Sequence, residues 1–205
     1  LASLDSLVTL FAGRNAVSDL SPLSRLSALK HLNLQDVSAS DFTALSGHSS
    51  LESLDLSGNE AATPGALAGL SNLKSLFLVY CGLSDISGLQ TMVGLEELGL
   101  ALNHVSDVNP LVPLENLRTL DLYDNSVVDI APLLDNPGLG SGDSLRLTQN
   151  PLSAESRSTH IPALQARGVP LRCVRQPEEA VLRWGNSLQY LDDARLDKVL
   201  QAGGF

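Results

Sequence analysis

The sequence predicts an α/β solenoid: a right-handed coil with a concave parallel β-sheet, a convex side of 3₁₀ and irregular segments, and a C-terminal helical cap. Three observations lead to this fold class. Leucines recur in fixed columns, an asparagine column accompanies them, and all these columns share a period of 22 residues. A constant period of this length is typical of stacked repeat arrays.

The repeat is described most simply from its asparagine-rich anchor column. Six anchors follow one another at 22 residues and a seventh follows after 25: Asn15, Val37, Asn59, Cys81, Asn103, Asn125 and Asn150. Leucine stands five residues before each anchor, at Leu10, Leu32, Leu54, Leu76, Leu98, Leu120 and Leu145. Two further apolar columns lie three residues before the anchors (Ala12, Leu34, Leu56, Leu78, Leu100, Leu122, Leu147) and eight after the first six (Leu23, Leu45, Leu67, Leu89, Leu111, Leu133). A slip of one residue removes every column at once, so the register is well determined.

Elementary packing explains one repeat unit. The LxL segment alternates inward and outward side chains, as a short strand does, and successive strands stack in parallel about 4.8 Å apart. The anchor amide then satisfies backbone groups that the following turn would leave buried. Cys81 fits this column because a thiol is small and a weak donor. Pro22, Pro110 and Pro132 suit the return segment, where no ladder N–H is needed.

Three regions follow from this pattern. Residues 1–152 form seven repeats that open without an N-terminal helical cap, and residues 153–175 form a capping unit. Its helix spans 153–166, with Ile161 and Leu164 packing inward, and ends at Gly168. Residues 176–205 read as a helical appendage. A first helix would start at Pro177, and a second, capped by Asp192 or Asp193, would carry Leu196, Val199 and Leu200.

Composition restricts the partners. The formal net charge is -10, which repels phosphate backbones, and no basic patch is interleaved with aromatics, so nucleic acid is not expected. A partner with a basic surface is favoured instead. No apolar run is long enough to span a bilayer, and we expect a monomer. Cys81 and Cys173 match no disulfide scaffold or paired metal motif, so we expect neither metal nor cofactor.

The 22-residue unit LxxLxxLxLxxNxIxDIxPL resembles the leucine-rich repeat of the bacterial internalin type, and also a related repeat of a eukaryotic phosphatase regulator. The resemblance covers residues 4–152, and the segment NPLSAESRSTHIPALQARGVPL at 150–171 resembles the closing unit of bacterial arrays. It implies a binding module and favours a bacterial secreted or cell-surface location over a cytoplasmic one. No immunoglobulin-like module or wall-anchor motif accompanies the repeats, which weakens the expectation of surface display.

The candidate binding site lies on the outward residues of the strands, six, four, two and one residues before each anchor. Half of the few aromatics fall on this grid, and an apolar patch with a polar rim is typical of binding surfaces. The small residues Gly99 and Ala101 are expected to form a shallow dimple between larger neighbours. The candidate ligand-binding residues are Phe11, His31, Asp55, Phe77, Val79, Tyr80, Glu97, Gly99, Ala101, Leu102, Asp121, Tyr123, Asp124 and Arg146. Neutral surface filler is the alternative interpretation. A polar set, Asn33, Gln35, Asp36 and Ser57, offers further hydrogen-bonding groups.

Catalytic and metal interpretations are weaker. His31 lies near Asp36 and Asp55, but no GxSxG motif or strained serine turn accompanies it. His48 occupies a leucine column and reads as a partly buried substitute. The glycines of GLGSGD at 138–143 lack the following GK[ST] of a phosphate loop and read as a flexible bulge. The repeated aspartates, one per coil, read as turn caps rather than calcium ligands: Asp19, Asp41, Asp85, Asp107 and Asp129.

Three functions compete. The leading prediction is a protein-binding module that uses the concave face and is not an enzyme. The second is a structural scaffold or spacer of a larger protein without its own ligand. The third is a substrate-recognition arm of an enzyme whose catalytic domain lies outside this sequence. A fold alone does not decide between them.

Overall fold

The computed structural model describes residues 4–60, 62–67, 69–172, 179–184 and 187–192. The chain divides into two compact units, Leu1–Cys173 and Val174–Phe205. The first unit contains one parallel sheet of eight strands, which follow one another in chain order. Its strands are β1 (Thr9–Phe11), β2 (His31–Asn33), β3 (Ser53–Asp55), β4 (Ser75–Phe77), β5 (Glu97–Gly99), β6 (Thr119–Asp121), β7 (Ser144–Arg146) and β8 (Leu171–Arg172). The predicted solenoid is therefore confirmed.

Short helical segments return the chain between strands. Five are 3₁₀ turns: Ser21–Arg25, Thr43–Leu45, Pro64–Leu67, Ser87–Thr91 and Asn109–Leu111. The sixth is α1 (Ala131–Asp135), a single turn of α-helix. Pro22, Pro110 and Pro132 each lie at the start of such a segment, where the missing N–H leaves no bond unmade. The convex side is thus 3₁₀ in five coils and briefly α-helical in one.

The strand register places the leucine columns in one core. Leu32 pairs with Leu54, Leu54 with Leu76 and Leu76 with Leu98, so identical positions stack directly. From the second coil onward all three leucine columns are buried in one contiguous cluster. Leu10 and Ala12 of the first coil are half-buried. Because each leucine touches its counterparts above and below, truncating one to alanine inside the stack costs about 2–5 kcal/mol.

The anchor asparagines satisfy backbone groups at the turn, as predicted, and they also join consecutive coils. The Nδ2 of Asn103 donates to the carbonyls of Leu78 at 2.7 Å and Leu100 at 2.9 Å. Its Oδ1 accepts from the backbone N–H of Cys81 and of Leu83, each at 3.0 Å. With the Ala101 carbonyl at 3.2 Å from Nδ2, one amide therefore bonds five backbone groups of two coils.

The other asparagine anchors share part of this arrangement. The carbonyl three residues upstream accepts the anchor amide in the coils of Asn15, Asn59, Asn125 and Asn150. In the coil of Cys81 the thiol lies 3.4 Å from the Leu56 carbonyl oxygen and 3.6 Å from that of Val79, so weak thiol contacts replace the stronger amide bonds.

One structural column, the residue just before each anchor, is not evident from the sequence pattern. The residue just before each anchor has a positive φ in all seven coils: Arg14, Asp36, Gly58, Tyr80, Leu102, Asp124 and Gln149. This left-handed backbone is needed for the chain to leave the strand, and it costs an L-residue roughly 1–2 kcal/mol. Gly58, Asp36 and Asp124 fit such a position, whereas Tyr80 and Leu102 do not.

The closing unit has the predicted helix. It begins with residues 154–155, passes through a π-helical turn at Ser156–His160 and continues as α2 (Ile161–Ala166). Leu164 is buried and Ile161 half-buried against the leucine core. Gly168 has a φ of +86°, and the N–H of Val169 bonds to the Leu164 carbonyl at 3.2 Å, which ends the helix.

The first predicted helix of the appendage is wrong. Residues Glu179–Trp184 (β9) and Ser187–Asp192 (β10) pair as an antiparallel hairpin, with Trp184 opposite Ser187. The intervening sequence is Gly-Asn, a pair typical of two-residue hairpin loops, and the flanks contain strand-favouring residues. The predicted second helix, with Leu196, Val199 and Leu200, lies outside the described residues. In the described part of the chain, none of the helices has the length and apolar character needed to cross a bilayer.

The anchor bonds predict a large local loss of stability. We expect Asn103→Ala to lower the free energy of unfolding by about 3 kcal/mol, because it strands several buried backbone groups. Urea unfolding followed by circular dichroism measures this. Asn116→Ala is the matched control, since its amide makes one exposed bond to the Val93 carbonyl and should cost less than about 1 kcal/mol. Equal losses in both variants would refute the special role of the anchor.

Candidate functional site

The predicted ligand-binding residues differ widely in accessibility. Phe11 and Tyr80 are 64% and 61% exposed, and His31 and Asp124 are also exposed. A second group is half-buried and keeps part of its surface accessible: Asp55, Phe77, Glu97, Leu102 and Tyr123. A third group is buried: Val79, Gly99, Ala101, Asp121 and Arg146. Outward orientation from the strand does not therefore guarantee contact with solvent.

The predicted open dimple at the fifth repeat is wrong. A Cβ added at Gly99 would lie 2.8 Å from Cδ1 of Phe77 and 3.6 Å from Cγ2 of Val79. The Phe77 ring therefore leans across from the adjacent strand into the space above Gly99. Val79 is only 1% exposed, although it is not part of the leucine core. Parallel strands about 4.8 Å apart bring neighbouring side chains into contact, so a large residue fills the gap beside a small one.

Tyr123 is supported by a buried charge pair. The Arg146 guanidinium lies 4.0 Å from the Tyr123 ring centroid, in cation–π geometry. Its Nη1 is 3.4 Å from Oδ2 of Asp121, and both side chains are buried. Arg146 is 5% exposed, so this predicted ligand-binding residue has almost no surface left for a ligand. The arginine instead fixes the underside of an aromatic ring.

Two of the predicted acidic residues hold the backbone. Oδ1 of Asp55 accepts the Ser57 N–H at 2.9 Å, and its Oδ2 accepts Nδ2 of Asn33 at 3.0 Å. Oδ1 of Asp121 accepts the Tyr123 N–H at 2.8 Å. The sequence signal for this role is an Asp or Asn at the last residue of a strand, where its carboxylate or amide reaches the N–H two positions on.

The polar set on the second and third repeats is largely buried. Asn33, Gln35 and Ser57 are buried, and Asp36 is exposed. Oδ1 of Asn33 accepts the Gln35 N–H at 3.2 Å, and Oγ of Ser57 accepts the Val79 N–H at 3.3 Å. These groups bond the backbone of their own sheet, which leaves them less suited to a ligand than predicted.

The repeated aspartates act as the predicted turn caps. Each accepts the backbone N–H two residues later, at 2.8–2.9 Å: Asp19, Asp41, Asp85, Asp107 and Asp129. The Ser21 hydroxyl and N–H lower the pKa of Asp19. The Thr43 N–H and hydroxyl lower the pKa of Asp41 in the same way. The carboxylates lie one per coil, and the described residues contain no group of three or more potential metal ligands.

Two histidines with polar neighbours, His48 and His160, also have structural rather than catalytic surroundings. His48 is buried with Nε2 2.9 Å from the Leu23 carbonyl oxygen. His160, Asp129 and Ser156 lie together, yet Asp129 Oδ1 and Ser156 Oγ both face Nδ1 of the imidazole, at 3.3 and 3.4 Å. A relay needs the two partners on different ring nitrogens, so this cluster cannot activate the serine.

The glycine-rich bulge binds its own backbone. The Asp143 carboxylate accepts the Gly140 N–H at 2.7 Å, and Oδ1 of Asn136 accepts the Gly138 and Leu139 N–H groups. Because these amides already have acceptors within the protein, they are not arranged for a phosphate. The interpretation as a bulge rather than a phosphate loop agrees with this geometry.

The strand-entry edge carries an ion-pair ladder that the sequence reasoning missed. Lys30 Nζ lies 2.7 Å from Glu52 Oε1, and Lys74 Nζ lies 3.6 Å from Glu96 Oε1. The Lys30 hydrogen bond lowers the pKa of Glu52. A shallow depression of about 360 Å³ lies beside Lys30, Glu52 and Lys74. These exposed pairs add little stability, and their charges neutralise one another.

Comparison with known proteins identifies the class. Neither a family model nor a curated protein sequence matches the chain, whereas solved structures do. Internalin C2 from Listeria monocytogenes superposes with a TM-score of 0.71 at 32% identity, covering 83% of this chain and 71% of that chain. A second internalin from that organism gives 0.64 at 25% identity, covering 85% and 56%. A leucine-rich-repeat protein of Leptospira interrogans gives 0.61 at 19%, covering 82% and 49%, and shares the fold.

The chain belongs to the internalin-like leucine-rich-repeat proteins of bacteria. Its 22-residue columns, parallel sheet and 3₁₀ return segments are those of this class. Membership supports a protein-interaction module in general. It does not assign the module a partner.

The contact between Phe77 and Gly99 predicts a measurable coupling. We expect Gly99→Ala to destabilise the protein by about 1 kcal/mol, because the new methyl group displaces the Phe77 ring. In a Phe77→Ala background the same change should cost almost nothing, since the 3.6 Å approach to Val79 is an ordinary contact. A double-mutant cycle by urea unfolding measures the difference. Additive effects would show that the ring does not occupy this space.

Proposed function

We propose that this array binds a protein partner on its concave face through the Phe77–Tyr123 pair. The observation that carries the proposal is that both rings lie on the outer side of the sheet, partly accessible, and both are supported from below. Phe77 rests on Gly99 and Val79, and Tyr123 rests on Arg146. Aromatic anchors that are already fixed lose little entropy on binding and are enriched among residues that dominate interface energies.

The charge around the pair favours a basic partner. Glu97 and Asp55 are half-buried on the same face, and Asp124 is exposed beside Tyr123. The whole chain carries a formal charge of -10. Complementary charge raises the association rate and disfavours acidic partners. Phe11 and His31, exposed on the first two strands, would extend the contact toward the N-terminal end of the sheet, and the array would act as a monomer.

Binding is a better description than catalysis for the described part of the chain. Of the histidines found there, His48 contacts backbone carbonyls and His160 faces two partners with one ring nitrogen. Among the residues that the structure describes, no nucleophile is aligned with a base and an oxyanion site. The competing functions are a spacer without a ligand and an arm that presents substrate to a separate catalytic domain. They differ from this proposal in what the rings of Phe77 and Tyr123 would contact.

The double variant Phe77→Ala, Tyr123→Ala tests the proposal. Immobilised protein is used to capture partners from the native source, and the captured protein is then titrated by calorimetry. We expect the double variant to bind at least about 100-fold more weakly, because truncating two anchor rings removes roughly 3 kcal/mol or more. Circular dichroism should show an unchanged fold.

A matched control separates a site effect from loss of surface hydrophobicity. Val93 and Val128 are exposed apolar residues outside the strands, and Val93→Ser with Val128→Ser should leave binding unchanged. A captured partner that binds the aromatic double variant as tightly as the parent would exclude this site. A flanking domain found seated on Phe77 and Tyr123 in the intact protein would favour the spacer function instead.

A further inference from the structure

The Glu97 carboxylate differs from other acidic groups on the concave face. Glu97 lies at the start of β5, between Ser75 and Thr119 of the adjacent strands, and is half-buried. Asp55 and Asp121 on the same face are already held by bonds to neighbouring groups. Within the described part of the chain, Glu97 takes part in no hydrogen bond or ion pair. Because partial burial penalises an unpaired charge, this carboxylate is suited to a cation from outside the protein.

The cations at the strand-entry edge leave Glu97 available. Lys74, one residue before Ser75 on the adjacent strand, lies 3.6 Å from the Glu96 carboxylate. Arg118 is exposed at the same edge, and among the described residues it forms no ion pair with Glu97. Both cations come one residue before the outward position of their strand, so the alternation of side chains turns them away from the face that Glu97 shares.

The Phe77 ring lies beside this carboxylate. It packs over Gly99, where an added Cβ would lie 2.8 Å from Cδ1 of the ring. Gly99 follows Glu97 by two residues on β5, so the two positions share one face and are about 7 Å apart. A carboxylate and a partly accessible aromatic ring are therefore neighbours over the same strand.

The next strand contains the same arrangement with an arginine added. Tyr123 follows Asp121 by two residues in the chain. Arg146 lies opposite Asp121 in the strand register, and its Nη1 is 3.4 Å from the Asp121 carboxylate. Its guanidinium lies 4.0 Å from the Tyr123 ring centroid. Carboxylate, ring and guanidinium thus form one compact group on this sheet.

We propose that Glu97 and the Phe77 ring bind an arginine side chain of the partner protein. The residue opposite Glu97 in the register is Thr119, which is uncharged and too short to take the role that Arg146 has beside Asp121. An arginine from another molecule would complete the group. This inference rests on the proposed function, because it names the partner residue that one end of the concave site receives.

The chemistry of the site favours arginine over lysine. A guanidinium is planar, so it can stack on the Phe77 ring while two of its N–H groups reach the Glu97 carboxylate. The hydroxyls of Ser75 and Thr119 can accept its remaining donors. A lysine ammonium is a compact charge that cannot stack in this way.

An arginine placed on the sheet itself tests whether the site accepts a guanidinium. We expect Thr119→Arg to melt about 2 °C higher in the parent background than in a Glu97→Gln background, after the effect of Glu97→Gln alone is subtracted. Ser144→Arg adds the same charge one strand further from Glu97 and should show no such coupling. An equal effect of Thr119→Arg in both backgrounds would overturn the proposed geometry.

A small probe tests the site from outside. The full chain is titrated with N-acetylarginine amide at constant ionic strength and followed by NMR, up to about 50 mM because a single partly exposed contact is weak. The matching citrulline and lysine amides serve as controls. We expect the arginine probe to shift the amides of Phe77, Glu97 and Thr119, and Glu97→Gln to weaken its binding at least about fivefold. Glu115→Gln makes the same charge change outside the strands and should bind the probe normally.

The outcomes separate this inference from the proposed function. The arginine site is refuted if the arginine probe causes no shift, if either control amide binds as well, or if Glu97→Gln binds the probe as the parent does. A captured partner that needs Phe77 and Tyr123 but binds Glu97→Gln unchanged would leave the proposed function standing without the arginine. Binding of the probe through Glu97, when no captured protein depends on the two rings, would leave the guanidinium site standing and refute the proposed function.

Discussion

The structure depends on satisfying the backbone at the turn that ends every strand. A chain that coils every 22 residues must bury several N–H and C=O groups at this turn, and each would cost about 1–3 kcal/mol without a partner. The anchor amides of Asn59, Asn103 and Asn125 meet that need from inside the coil. The core can then consist of stacked leucines and other apolar side chains, because no further polar side chain is needed inside it to satisfy the backbone of the sheet.

This arrangement leaves the outward side chains a smaller part in holding the fold, although Asp55, Ser57 and Asp121 still bond the backbone. Because the strands are closely spaced, outward side chains of neighbouring strands contact one another. On this face a large side chain packs over a small residue, as Phe77 does over Gly99. Buried charged residues also support aromatic rings on this face. Arg146 lies beneath the Tyr123 ring and is paired with Asp121. The face therefore has a supporting layer of buried polar and small residues below an accessible layer that contains the aromatic rings.

The periodic part of the fold could be predicted from the sequence, because one register explains the leucine columns, the anchors and the aspartate turn caps. The closing helix followed from Gly168 and the inward Leu164 for the same local reasons. Contacts between coils were harder. Which residues a neighbour covers, such as Val79, depends on side-chain packing across strands that periodicity does not encode.

Two further features lay outside the pattern used. The left-handed column is suggested only by Gly58 and two aspartates, and Tyr80 and Leu102 obscure it. The pairing of β9 with β10 differs from the predicted helix because the Gly-Asn pair between the strands favours a hairpin, whatever the helical spacing of the apolar residues.

Native-state hydrogen exchange tests the central constraint most directly. The backbone amides of Cys81, Val105 and Val127 donate to anchor oxygens of the following coil, at 2.9–3.0 Å. If these bonds hold the coils together, the three amides should exchange only through global or multi-coil unfolding, with opening free energies near the stability of the whole array. Exchange within minutes, at the rates of exposed turn amides, would show that the anchors do not hold adjacent coils and would contradict the account.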